Sequence, residues 1–336
     1  MERWYGAEQV PSAPGGSVVA VGNFDGVHRG HRVLLGEVVR LARERGMRAL
    51  AVTFEPHPLH VLHPDRAPAL LTGTAERLEL LGGTGLDGVV VLPFTRALAA
   101  RTPRQWVAED LVRDLGARVL VVGHDVRFGA GNAGDLAVLR ELAAELGVDV
   151  VVLDDAVSAG RRWSSSWVRE LLAAGDARGA ADVLGRPHRV VGEVVHGDHR
   201  GRELGYPTAN LSAGAEGLVP ADGVYAGWLT ALEGGAPGGG VRPGERRPAA
   251  VSIGTNPTFD GLERRVEAYV LDVPDGSPLD LYGVRVRVEL VERLRETLRF
   301  DGVEALCAQM ARDVDRARGV LHATTPARGT PTAPSS

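Results

Sequence analysis

Short, almost wholly apolar runs alternate with helix-patterned segments through the first half of the chain, and this alternation restricts the fold more than any other feature. Ser17–Val21, Ala49–Phe54, Gly88–Leu92, Arg118–Val122 and Val148–Leu153 read as strands. Between them, Arg32–Arg45, Ala75–Gly82, Pro103–Leu115 and Asp135–Leu146 space their apolar residues as helices do, and the first of these stops at Gly46. A strand that is apolar along its whole length is buried on both faces. Strands of that kind separated by helices form a parallel sheet covered on both sides. A doubly wound α/β domain is predicted, with ligands at the carboxyl ends of its strands.

The pattern changes after about Leu184. Arg189–Val195, Val224–Leu232, Ala249–Ile253, Arg265–Leu271 and Val284–Leu290 read as strands joined by turns, as in an antiparallel barrel or sandwich. Glu233–Arg247, dense in Gly and Pro, reads as a loose hairpin loop, and Phe300–Arg318 as a closing helix. The tail is rich in Pro, Thr, Ser and Ala and reads as disordered. The expected division is residues 1–183, 184–321 and a tail from 322 to 336, which suits a chain of 336 residues.

One absence narrows the chemistry. All 38 basic side chains are arginine; there is no lysine. A Walker A loop, a Schiff-base enzyme and a protein-kinase ATP site each need a lysine, so all three are excluded. Phosphate must be handled by Arg, His, backbone N–H groups or a metal. The net charge of −5 offers no global basic field to nucleic acid or an anionic membrane. The single Cys307 permits no intrachain disulfide and fits a cytoplasmic location. No apolar run is long enough to span a bilayer, and Met1-Glu2-Arg3-Trp4 does not open a signal peptide. Nothing in the pattern specifies an oligomeric state.

The first candidate site is Val21-Gly22-Asn23-Phe24-Asp25-Gly26-Val27-His28-Arg29-Gly30-His31, which leaves the first strand and opens the first helix. Free N–H groups and the helix dipole favour phosphate at such a place. His28 and His31, three apart, share one face of the first turn. Gly30 between them allows close approach of a nucleotide. Imidazoles there donate hydrogen bonds as charge builds on an attacked phosphorus. Metal binding is the alternative, but no third ligand stands at suitable spacing. His57, His60 and His63, held near two prolines, read as a pocket wall. Gly123 to Gly129 again follows a strand and carries Asp125. Ser164-Ser165-Ser166-Trp167-Val168-Arg169 offers hydroxyls before a helix; read alone, it is a serine N-cap with a solvated Arg169.

Together these segments resemble the bacterial bifunctional riboflavin kinase/FMN adenylyltransferase (FAD synthetase) family. The second half strengthens the resemblance. Gly197-Asp198-His199-Arg200-Gly201-Arg202-Glu203-Leu204-Gly205-Tyr206-Pro207-Thr208-Ala209-Asn210 looks like the flavokinase glycine-rich stretch ending in P-T-A-N. Ala221–Tyr225, Ile253–Phe259 and Val266–Tyr269 follow in the family's order. The resemblance implies a Rossmann-like nucleotidylyl transferase domain, then a six-stranded antiparallel β-barrel with a C-terminal helix. It implies phosphorylation of riboflavin to FMN by the second domain, and adenylylation of FMN to FAD by the first, with ATP, Mg²⁺ and flavin as cofactor and substrates. His28 and His31 would be catalytic in the first domain, and Gly22, Phe24, Asp25, Gly26, Gly30, Gly123, Asp125, Ser165, Ser166 and Arg169 would contact nucleotide. In the second, Gly197, Gly201, Gly205 and Pro207 would fold over ATP, Thr208 and Asn210 would offer oxygens to Mg²⁺, and Glu267 would be the base. The chain departs from the family at Asp125, often Asn, and at Val126, usually aromatic. A carboxylate at 125 would repel phosphate unless it faced ribose or metal. Ser166 and Trp167 also differ from the common residues.

Overall fold

The chain, described by a computed structural model over residues 1–154, 157–158, 160–197, 204–235, 240–258, 261–273 and 279–324, divides into two compact units. Residues 1–167 with 183–185 make the first, and residues 168–182 with those from 186 onward make the second.

In the first unit β1 (Glu2–Trp4), β2 (Ser17–Val21), β3 (Arg48–Glu55), β4 (Gly88–Pro93), β5 (Ala117–Gly123) and β6 (Asp149–Leu153) form one sheet. Their order is β1-β4-β3-β2-β5-β6, and every neighbouring pair is parallel. The apolar runs are buried as predicted: Val18, Val19, Leu50, Ala51 and Val52 are all inaccessible. The chain proceeds outward from β2 through β3 to β4, then returns to lay β5 on the other side of β2. The loops leaving β2 and β5 therefore open on one crevice, the topological switch point of the sheet. Strand β1 escaped the sequence reading because three residues show no period. Its Trp4 lies where a side chain at Gly88 would stand, 2.0 Å from the Cβ that an alanine would add. A two-residue hairpin, β7 (Val157–Ser158) and β8 (Arg161–Arg162), follows the sheet.

Helix Arg29–Arg45 begins three residues earlier than the apolar spacing suggested, because His28 caps it: its Nδ1 accepts the N–H of His31. Leu35, Val38, Leu41 and Ala42 form its buried stripe. Gly46 ends it in the left-handed region at φ 65°.

In the second unit β9 (His188–Val195), β10 (Thr208–Leu211), β11 (Gly223–Ala231), β12 (Arg246–Thr258), β13 (Gly261–Val270) and β14 (Arg285–Arg295) close into an antiparallel barrel, in the order β10-β13-β12-β11-β14-β9. Alternate residues fill it: Val190 and Val194, Tyr225 and Leu229, Val251 and Ile253, Val266 and Ala268, Val286 and Val288. The six strands fit the barrel that the resemblance implied. Strand β10, only four residues long, gave no alternation signal. β12 starts at Arg246, inside the stretch read as loop.

Helix Val303–Thr324 covers part of the barrel's outside with Val314, Ala317 and Leu321, against Ala226, Ala250, Leu271 and Val291. It runs past Leu321, where the tail was expected to begin; residues 325–336 lie outside the described residues. Arg295 of β14 fixes it through a forked pair to Asp313 at 2.7–3.0 Å, with the two side chains only 16% and 6% exposed. Breaking a buried pair strands the remaining charge, at about 3–5 kcal/mol. Asp313→Leu should lower the urea-unfolding free energy of this unit by that amount, and adding Arg295→Met should recover most of it.

Candidate functional site

In the first unit, the loops leaving β2 and β5 and the segment after β8 enclose a cavity of ≈ 270 Å³. His28, Gly30, His31, Gly123, Asp125 and Arg162 line it, with Leu153, Asp154, Trp163 and Ser164 beside them. The two imidazoles stack, centroids 3.6 Å apart and planes 21° from parallel. The edge of Phe24 meets His31 at 5.2 Å. His28 Nδ1 accepts the His31 N–H at 3.3 Å, so the neutral ring carries its proton on Nε2 as a donor. A Cβ at residue 30 would stand 3.1 Å from the His28 ring, so Gly30 is what lets the stacked pair form.

Both imidazoles are held neutral. Burial, then the charge of Arg162, brings His28 down to about 4. Burial first, then His28 and Arg162, holds His31 well below its ordinary value. Arg162 is in turn forked by Asp125 at 2.7 and 3.0 Å, and that pairing holds the Asp125 carboxyl low. The departure at 125 thereby finds its partner: the carboxylate meets a guanidinium rather than an incoming phosphate. The exposed pair adds little stability. Val126 packs against the apolar layer beneath the sheet. Arg161 lies over the Trp167 ring at 5.0 Å, and Ser164 Oγ accepts the Trp167 N–H, capping the helix Ser165–Ala173.

In the second unit, β10 and β13 pair with Asn210 opposite Glu267 and Thr208 opposite Tyr269. Opposed residues of an antiparallel pair share a face, and residues two apart share it too. Ala209 and Ala268, between them, point into the barrel core. Thr208, Asn210 and Glu267 thus gather on the barrel's outer face. The Asn210 amide donates to the carbonyl and hydroxyl of Thr208, each at 3.3 Å, which leaves its Oδ1 to accept. Gly197 lies against that amide, where a Cβ would come within 2.5 Å. Tyr206 meets Tyr269 edge-on at 5.2 Å, and His196 stacks on Tyr282 at 3.8 Å.

Residues 10–167 match the family described as FAD synthetase, and residues 184–321 match the one described as riboflavin kinase. The bifunctional riboflavin kinase/FMN adenylyltransferase of Escherichia coli (strain K12) is 39% identical over 312 residues, which span 93% of this chain and 95% of that protein. The Bacillus subtilis (strain 168) protein of the same name is 32% identical over 305 residues, 90% of this chain and 91% of that one. This chain belongs to the bifunctional riboflavin kinase/FMN adenylyltransferase family. A crystal structure described as a macrolide-efflux protein from Streptococcus pneumoniae also aligns, with a TM-score of 0.81 and 29% identity over 94% of this chain and 98% of that one. Among the described residues here, no helix is long and apolar enough to cross a membrane.

Several residues read from the bifunctional family's motifs stand away from the cavity. Asp25 is 2% exposed, and its carboxylate accepts the N–H groups of Leu71 and Thr72 at 3.0–3.1 Å. Phe24 is core, and the Gly26 N–H donates to Thr72 Oγ1. Gly22 is packed against the Phe24 ring. Ser165 donates to the Asp25 carbonyl at 2.8 Å, so it braces the turn. Ser166 is exposed, and Arg169 belongs to the second unit. His57 caps the start of the short helix Pro58–Leu62, His60 lies within it and His63 ends it; none of the three lines the cavity. In the second unit Gly205 adopts φ 83° beside the exposed Pro207, and Gly201 lies outside the described residues. Arg162, Trp163 and Asp154 were missed. The Arg161-Arg162 pair just before the serine run was the available signal.

The neutral His28 predicts a pH dependence. Unfolded, the ring takes up a proton below about 6.5; folded, it resists until about 4. Its contribution to stability is complete above pH 6.5 and is lost as the pH falls from 6.5 to 4. That amounts to an order of 3 kcal/mol. Urea unfolding of the first unit should therefore weaken more steeply with acid in the wild type than in His28→Asn.

Proposed function

We propose that the first unit adenylylates FMN to FAD with release of pyrophosphate, and that the second phosphorylates riboflavin to FMN, ATP serving both reactions. One observation carries the reading. Two stacked neutral imidazoles stand at the switch point of a parallel sheet, in a chain whose other half is a flavokinase barrel with Asn210 opposite Glu267.

For adenylyl transfer, a phosphate oxygen of FMN attacks the α-phosphorus of ATP and the bond to pyrophosphate breaks. Negative charge accumulates on the oxygens around that phosphorus. The Nε2–H of His28 donates to it, and the His31 imidazole, stacked on the first ring, supports the same charge. Neutral rings suit this role: they bind without a fixed charge and gain proton affinity as the phosphates arrive. Arg162 supplies the permanent positive charge that lysine provides in other nucleotide sites. Preorganised donors of this kind act at no reorganisation cost during the step.

For phosphoryl transfer, the ribityl 5′-hydroxyl attacks the γ-phosphorus of a second ATP and gives its proton to Glu267, while the bond from that phosphorus to the β-phosphate oxygen breaks and ADP leaves. The Thr208 hydroxyl and the Asn210 Oδ1 are hard oxygen donors on one face, a set that fits Mg²⁺ held jointly with phosphate oxygens. Bound there, the ion would neutralise charge on the phosphoryl group. The chain's own residues supply positioning and one base, which is most of what phosphoryl transfer asks of a protein.

With riboflavin, ATP and Mg²⁺, the protein should make FMN and then FAD; with FMN it should make FAD directly. His28→Ala or His31→Ala should cut FAD formation by about 100-fold or more and leave FMN formation intact. Glu267→Gln should do the reverse. Chromatography of the products separates the cases, and equal loss of both activities from either change would contradict the assignment.

A further inference from the structure

The turn that delivers His28 is held in a conformation its residues oppose. Phe24 and Val27 have φ of 48° and 41°. A left-handed backbone is uncommon for any residue with a side chain, and an outlier for β-branched valine. Each such residue is strained and persists only where its surroundings over-determine it. His28 follows Val27 directly, so this turn sets the direction of both imidazoles.

Two buried side chains of opposite charge hold the turn from behind. Asp25 binds the backbone of Leu71 and Thr72, and the Thr72 hydroxyl donates back to it at 3.3 Å. Arg77, from helix Thr74–Gly82, is 1% exposed. It donates to the Asn23 carbonyl at 3.3 Å, to the Phe54 carbonyl at 3.0 Å and to Glu55 Oε2 at 2.9 Å. The Thr53 hydroxyl gives the Asn23 carbonyl a second bond at 3.2 Å. Burial works against the Arg77 charge, and Glu55 and then Asp25 offset it. A leucine or methionine would fill the same space without stripping water from a guanidinium. What an apolar residue cannot do is join three acceptors. Those acceptors belong to the loop leaving β2 and to the end of β3. Neither Arg77 nor Asp25 lines the cavity.

We propose that Arg77, acting through the Asn23 carbonyl while Asp25 ties the same turn to Leu71 and Thr72, is a positioning residue for adenylyl transfer: it locks the Phe24–Val27 turn and so aims His28 and His31. The inference rests on the adenylyltransferase reading of the first unit.

Arg77→Lys keeps the charge and loses the fork. Thr72→Val removes the hydroxyl that joins Asp25 to Gly26. For each variant, kcat and KM for FAD formation from FMN and ATP are measured per folded molecule, with the folded fraction taken from urea unfolding. The Cε1–H signals of His28 and His31 are followed by NMR. A displacement of order 1 Å at reacting groups costs on the order of 100-fold, so kcat should fall about 10- to 100-fold while KM for ATP stays within about threefold. The imidazole signals should shift, and riboflavin phosphorylation should stay at the wild-type rate. A kcat for folded Arg77→Lys within about twofold of wild type, or a loss carried wholly by KM, overturns the proposal. If Arg77→Lys does not fold, Thr72→Val decides on the same criteria. Wild-type protein that makes no FAD from FMN would instead sink the adenylyltransferase reading itself.

Discussion

A backbone turned against its preference is the constraint on which the first unit depends. Between β2 and the helix that begins at Arg29, the chain must reverse within seven residues while leaving two imidazoles stacked at the helix start. Two non-glycine residues take left-handed angles to do so. Every neighbouring feature answers that demand. Gly26 and Gly30 give room, Phe24 fills the core below, and Asp25 spends its carboxylate on the backbone of Leu71 and Thr72. Much of what looks in the sequence like a string of nucleotide contacts is this scaffold. Of that string only His28, Gly30 and His31 line the cavity, and they follow the turn directly.

The electrostatics of the same cavity follow from a second constraint, the missing lysine. With arginine as the only permanent cation, positive charge comes as a planar, strongly directional group that must be aimed. Asp125 aims Arg162 by a forked pair, and Arg162 in turn helps keep both histidines unprotonated. The cavity therefore rests with its charges matched rather than with a bare cluster of cations.

The architecture was largely legible. The apolar runs announced a parallel sheet because burial on both faces removes any alternation, and the later turn-joined strands announced an antiparallel barrel or sandwich, which the family resemblance narrowed to a six-stranded barrel. The elements that escaped were those too short to show a period: Glu2–Trp4, which depends on Trp4 packing over Gly88, and Thr208–Leu211, whose pairing with β13 is a matter of tertiary register. His28, Gly30, His31, Gly123 and Asp125, all named from sequence, line one cavity, since a motif after an apolar strand has one natural place. Arg162 was not named, because it reaches the cavity from a two-residue hairpin more than a hundred positions further along the chain. Asp25 was misplaced for a related reason: residue type and neighbourhood suggest a ligand contact, whereas side-chain direction, which sequence does not carry, turns it inward.

The pairing of Asn210 with Glu267 has a consequence for how the second site can change. Thr208 and Asn210 on β10, and Glu267 and Tyr269 on β13, stand outside the barrel; Ala209, Leu211, Val266, Ala268 and Val270 between and beside them belong to its core. Chemistry and stability are thus interleaved by parity along the same few residues. A substitution at either kind of position leaves the other kind untouched. A single inserted or deleted residue in either strand does not: it exchanges the two sets, burying the amide and carboxylate and turning alanines outward. The register of these two strands is therefore as much a part of the arrangement as the side chains on them.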